Sequence, residues 1–134
     1  MANRYAPYRA RYLTREPRTL VVKFTSNGTT GEQTLAGAPF NQGVVNVVAS
    51  ATGVYKVALG GSSTSRDPYA HFAGVDFATD DTDVILGHIT NSETNHATDP
   101  NVTLACTHNV NADAEYVADT KTVWLRLHFL DSQN

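Results

Sequence analysis

KTVWLRLHFL, residues 121–130, is the stretch on which the fold turns. Val123, Leu125, Leu127 and Phe129 fall on one side of an extended chain, and Trp124, Arg126, His128 and Leu130 fall on the other. A two-residue period marks a strand with one buried face, because successive side chains of a pleated strand point to opposite sides. The four apolar positions therefore predict the main core, with Trp124 and Arg126 facing away from it.

The same period recurs upstream. Leu20, Val22 and Phe24 alternate with Val21, Lys23 and Thr25 before the turn residues Ser26, Asn27 and Gly28. Val44–Ala51 and Val54–Leu59 flank Thr52 and Gly53, the length of a tight hairpin in which Gly53 supplies a positive φ. A two-residue loop sets Val48 opposite Val57, Ser50 opposite Tyr55 and Val47 opposite Ala58, whereas a three-residue loop shifts that register. Across residues 69–78, His71, Ala73, Val75 and Phe77 share a face. Across 84–90, Val84, Leu86 and His88 oppose Ile85 and Ile89, and a further strand covers 102–108. The stretches 27–43, 60–68, 91–100 and 109–119 are rich in Gly, Asn, Asp, Ser or Thr and read as loops, the first with room for one short strand. No segment of useful length keeps a helical period. The expected fold is all-β: one domain over residues 19–134, a β-sandwich of seven or eight mostly antiparallel strands, with a barrel as the second arrangement.

A chain of 134 residues buries roughly two-thirds of its unfolded surface, enough to fold without disulfide or metal. Cys106 is the only cysteine, so no intrachain disulfide forms, and it is expected as a small buried apolar residue. No apolar run approaches the ~20 residues of a membrane-spanning helix, and arginines stand where a secretion signal would carry its apolar core. These features lead us to expect a soluble protein made in the cytoplasm.

The net charge of −3 conceals a split. Residues 1–18, MANRYAPYRARYLTREPR, hold five Arg and one Glu, a net of +4, while residues 19–134 hold five Lys or Arg against twelve Asp or Glu, a net of −7. Pro7 and Pro17 oppose a continuous helix in the first segment, which reads as an extended basic arm. Arg4, Tyr5, Tyr8, Arg9, Arg11, Tyr12, Arg15 and Arg18 are its candidate partner-binding residues. Ordering 18 residues costs on the order of 1–2 kcal/mol each, and an exposed ion pair returns at most about 1 kcal/mol. Charge alone cannot hold the arm, so it must bury its tyrosines or pair its backbone with a strand edge. A nucleic-acid partner fits poorly, because the acidic body offers no basic face to continue the contact.

Motifs for chemistry are sparse. His71, His88, His96, His108 and His128 show no zinc spacing, and phosphate loops, dinucleotide fingerprints and nucleophile elbows do not occur. Asp76, Asp80, Asp81 and Asp83 lack the glycine and terminal glutamate of a calcium loop and read as a solvated turn. The expectation is a binding or assembling protein with no cofactor, no small-molecule substrate and no catalytic residues.

The succession of ATGVYKVAL (51–59), RDPYAHFAGVDFA (66–78) and KTVWLRLHFLDSQN (121–134) resembles small structural proteins of tailed-phage virions, above all head decoration or cement proteins. The resemblance covers about two-thirds of the chain at the level of pattern. It implies a homo-oligomer on the outside of the capsid that binds the major capsid protein and stabilises the shell, with the arm crossing onto neighbouring subunits. A phage tail structural protein is an alternative placement. Two readings of other classes stand beside it: a carbohydrate-binding sandwich that stacks sugars on Trp124, Tyr69 or Tyr116, and a small hydrolase in which a histidine meets a carboxylate.

Overall fold

The computed structural model describes residues 17–60, 71–92 and 99–130. They form nine strands: β1 (Pro17–Thr25), β2 (Gly31–Glu32), β3 (Thr34–Leu35), β4 (Val44–Ala51), β5 (Val54–Leu59), β6 (His71–Thr79), β7 (Val84–Asn91), β8 (Asn101–His108) and β9 (Thr122–Leu130). Seven are long and two are two-residue pieces. They pair antiparallel in two sheets, the first in the order β3-β1-β9-β6 and the second in the order β2-β4-β5-β8-β7. The sheets do not close on each other, so the fold is a β-sandwich and not a barrel.

The core is the alternation made solid. Val22 and Phe24 of β1 and Val123, Leu125, Leu127 and Phe129 of β9 meet Val47, Tyr55, Val57, Leu59, Val102, Leu104 and Cys106 of the second sheet, all buried. Phe24 and Tyr55 join the sheets with ring centroids 5.5 Å apart. Tyr55 also solves a polar problem there: its hydroxyl accepts the Val117 N–H at 2.9 Å, and Ser26 Oγ donates to the Val117 carbonyl at 2.6 Å. A buried peptide group left unpaired would cost about 1–3 kcal/mol, so this pair anchors the 109–121 connection against the core.

Three bulges correct the facing expected from strict alternation. The β4–β5 hairpin does turn on Thr52 and Gly53, with Ala51 opposite Val54, but Ser50 is then left unpaired. Val47 accordingly faces Val57 and Ala49 faces Tyr55, in place of the expected Val47–Ala58 and Ser50–Tyr55 pairs. In β6 the register slips at Ala73, which brings Phe72 into phase with Val75 and Phe77 on the core side and turns Ala73 out. Phe72 then packs edge-on against Phe129 at 5.7 Å. In β7 the slip falls at Gly87, so His88, paired with Ala105, leaves the side it was expected to share with Val84 and Leu86, and Ile89, paired with Leu104, joins that side while staying 37% exposed. Gly87 suits the bulge because a Cβ there would come within 3.0 Å of the Ala105 carbonyl and 2.9 Å of the Thr107 methyl. An extra residue in one strand flips the facing of everything beyond it.

The loop expected over 27–43 holds two short strands on different sheets, with the buried Gln33 at the crossing. Its side-chain amide donates to Gly31 O at 2.8 Å and to Asn27 Oδ1 at 3.1 Å, while its carbonyl accepts the Asn27 N–H at 2.9 Å. The acidic turn is not simply solvated. Asp81 is buried and accepts the N–H groups of Asp83 at 3.0 Å and Ala118 at 2.8 Å, and Asp80 accepts that of Thr122 at 2.8 Å.

Candidate interaction face

The outer face of the first sheet gathers the chain's most distinctive exposed side chains. On β1, β9 and β6 the positions that alternate with the core are Thr19, Val21 and Lys23, then Trp124, Arg126 and His128, then Asp76 and Ala78. The register aligns them in rows: Lys23, Trp124 and Ala78; Val21, Arg126 and Asp76; Thr19 and His128.

A loop closes the first row. Asn41 adopts φ 62°, a conformation Asn tolerates better than most residues. Its side chain behaves like a neighbouring strand: Oδ1 accepts the Lys23 N–H at 2.9 Å, and Nδ2 donates to Lys23 O at 2.7 Å and to Ala36 O at 2.9 Å. Phe40 is thereby held over the sheet, with the Lys23 ammonium 4.8 Å from its ring centroid and 5.6 Å from that of Trp124. The cation between two aromatic rings draws on their negative faces. Phe40 and Lys23 were not among the candidate residues of the sequence, since nothing local tells which strand a Gly- and Asn-rich loop will fold against.

A second constellation spans β1, β9 and β6. His128 Nε2 lies 2.8 Å from Asp76 Oδ2, and its Nδ1 lies 3.3 Å from Thr19 Oγ1. A histidine does meet a carboxylate, and a hydroxyl completes the order of a hydrolytic triad. Thr19 is exposed and the Asp76 carboxylate is 70% accessible, so water reaches both ends and neither group is set against a desolvated surface. As built, the three groups clamp adjacent strands. Among the described residues no cluster of three or more His, Cys, Asp or Glu could hold a metal ion.

Of the expected arm residues, Arg4, Tyr5, Tyr8, Arg9, Arg11, Tyr12 and Arg15 lie outside the described residues. Arg18 stands in β1 opposite Phe129, so the strand begins at Pro17, two residues before the boundary read from composition. Of the expected stacking residues, Tyr69 lies outside the described residues. Trp124 is 36% exposed on the outer face. Tyr116 sits elsewhere, lining an open cavity of about 530 Å³ with Asn27, Thr52, Glu115 and Asp119. The two rings therefore do not form one platform. His71 belongs to β6, His96 lies outside the described residues, and His88 and His108 stand on β7 and β8, with His108 Nδ1 accepting the Val110 N–H at 3.1 Å.

Cys106 is buried as expected, and burial pushes its thiol up to about 12. The sign follows from which state ionises first. The unfolded thiol loses its proton near its ordinary value of 9.0, the folded one only near 12, so ionisation favours the unfolded chain across that interval. Stability supplied by the protonated thiol is intact below pH ~9 and falls by up to about 1.4 kcal/mol per pH unit above it. Burial of Tyr55 acts in the same direction. Urea titrations at pH 8 and pH 10.5 should show the loss, with a smaller loss in Cys106→Ala, and a thiol reagent at pH 8 should label Cys106 only as the chain unfolds. Rapid labelling of the native protein would contradict the burial.

The chain matches no protein-family model, and comparison with curated proteins and with solved structures gives no match. The fold defines the class: an antiparallel β-sandwich of four- and five-stranded sheets.

Proposed function

We propose that this chain is a non-enzymatic structural protein of a phage virion that binds the outside of the capsid and stabilises it, its N-terminal arm docking on neighbouring capsid subunits. The observation that carries the reading is the charge split, a segment of net +4 joined to a body of net −7. The fold adds a mechanical argument. The arm continues into β1, which lies between β3 and β9 and pairs with β9 over nine residue positions. Tension on the arm would thus load a row of backbone hydrogen bonds together, a suitable root for a tether. Shell attachment is the task for which a strong root and a basic, tyrosine-bearing arm are both useful.

Deleting residues 1–16 should abolish capsid binding and leave the domain folded, with the melting temperature nearly unchanged in solutions dilute enough for the free protein to be monomeric. Replacing Tyr5, Tyr8 and Tyr12 by Ala should weaken binding more than replacing Arg4, Arg9, Arg11 and Arg15 by Gln, since a buried ring contributes roughly 1.5–3 kcal/mol and an exposed ion pair at most about 1. The Gln variant should also lose salt dependence, because exposed charges are screened over about 10 Å at 0.1 M salt. Undiminished binding by the truncated protein would remove the arm from the mechanism, and no binding by the full chain would remove the capsid. A second reading, sugar binding, has one specific support in the exposed Trp124, which shares the Lys23 ammonium with Phe40. A glycan array that gives signal with the native protein and none with Trp124→Ala would favour it.

A further inference from the structure

We propose that residues 8–12 of a second copy's arm dock as an added strand along the edge of β6, covering the groove between β6 and β7. This inference does not rest on the capsid reading: it describes the free protein, where no capsid competes for the arm, and its test uses that free protein.

The sheet orders leave β6 at one edge of the first sheet and β7 at the edge of the second. The short turn from Thr79 to Val84 joins them, so the sandwich is open along this side. Among the described residues neither strand has a partner beyond β9 and β8 respectively. Between them lies a groove of about 540 Å³, lined from within by Val75, Phe77, Val84 and Leu86, with Asp76 and Ile85 at its lips. Beyond the bulge at Ala73, β6 is regular from Gly74 to Thr79, which leaves six consecutive residues able to take a new strand.

The complementary segment is in the arm. In YRARY, residues 8–12, Tyr8, Ala10 and Tyr12 alternate with Arg9 and Arg11, and Pro7 precedes them. Such a segment laid antiparallel along β6 puts one set of side chains over the groove and the other on the outer face, because directly opposed residues share a face. Tyr8, Ala10 and Tyr12 then cover Val75, Phe77 and the β7 edge. Arg9 and Arg11 come out beside Asp76, with Asp80 and Asp83 at the turn below. The opposite alignment would place two guanidinium groups on apolar surface and is disfavoured.

Length selects a second copy. Pro17 shares a row with Leu130 and His71 at the start of β6. To reach a strand position outside β6 from β1, the same chain must cross three strand spacings, about 14 Å, and run some 10 Å back along the sheet, about 17 Å in all. The five peptide links from Tyr12 to Pro17 span at most about 17–18 Å fully extended, with nothing left for passing around the ends of β9 and β6. An arm arriving from another molecule meets no such limit.

Light scattering of the free full-length protein should report a dimer or larger assembly, and the form lacking residues 1–16 a folded monomer whose melting temperature no longer depends on protein concentration. Tyr8→Ala with Tyr12→Ala should raise the dissociation constant of the assembly at least ~100-fold, from two buried rings at about a factor of ten each. Occupancy of the groove is read by mixing two singly substituted chains, Asp76→Cys with either Arg9→Cys or Arg11→Cys. Facing residues lie within disulfide reach, and Cys106 is buried out of the way. A disulfide between the two kinds of chain supports the proposal. A monomeric full-length protein, the absence of that disulfide, or a crosslink that forms only inside a chain carrying both cysteines overturns it.

Discussion

Leu125→Ala should destabilise the domain by about 2–5 kcal/mol, out of a total that for a domain of this size is about 5–15. Leu125 is fully buried in the middle of β9, opposite Val22 on one side and Phe77 on the other. Removing its isobutyl group takes away the transfer free energy of three carbons and leaves a hole that two flanking strands, each hydrogen-bonded to β9, cannot close. Phe129→Ala belongs to the same class at about 3–5 kcal/mol, since Phe129 also loses its edge contact with Phe72. Arg126 stands between them in sequence but exposed on the other face, and Arg126→Ala should change stability by no more than about 0.5 kcal/mol. Urea unfolding of the three variants checks the facing of β9 directly. An Arg126 variant as damaged as the Leu125 variant would mean that β9 presents the opposite face to the core.

The second large effect is expected at the hairpin tip. Gly53 has φ +71° and is buried, and a Cβ there would lie 2.5 Å from the Glu115 carbonyl oxygen and 2.6 Å from that of Cys106. Both obstacles are backbone. The Gly53 carbonyl itself accepts the Cys106 N–H at 2.7 Å, and Cys106 O in turn accepts the Glu115 N–H at 3.2 Å. Gly53→Ala therefore meets a left-handed conformation that costs an L-residue about 1–2 kcal/mol together with a forced separation of the tip from β8 and the 113–117 segment. A combined loss of about 3 kcal/mol or more is expected, at the high end of single substitutions. The neighbouring Thr52 is exposed, and Thr52→Ala should stay within about 0.5 kcal/mol. A Gly53→Ala protein that melts with the native one would show that the tip is not packed against these carbonyls.

The outer face of the first sheet was only half legible before folding. Trp124, Arg126 and His128 could be placed there from the alternation of β9 alone. Their neighbours could not, because Phe40 reaches the Lys23 ammonium through the amide of Asn41, and His128 meets Asp76 across 52 residues of chain. Contacts of that separation depend on strand order, and strand order is a property of the whole sandwich.

What the sequence determined by itself is chiefly what has a short period: the seven long strands, their ends at Gly, Asn and Asp, the alternating faces of β1 and the core face of β9, and with them the burial of Cys106 and the charge split between arm and body. These follow from the pleat of a single strand, which repeats every two residues regardless of its neighbours. The tertiary structure alone decided the facing beyond Ser50, Ala73 and Gly87, the crossing at Gln33, and the burial of Asp81 against Ala118. A bulge is a mismatch between two strands and a cap joins two distant peptide groups, so neither leaves a local trace. Each exists only when its partner strand or loop is in place.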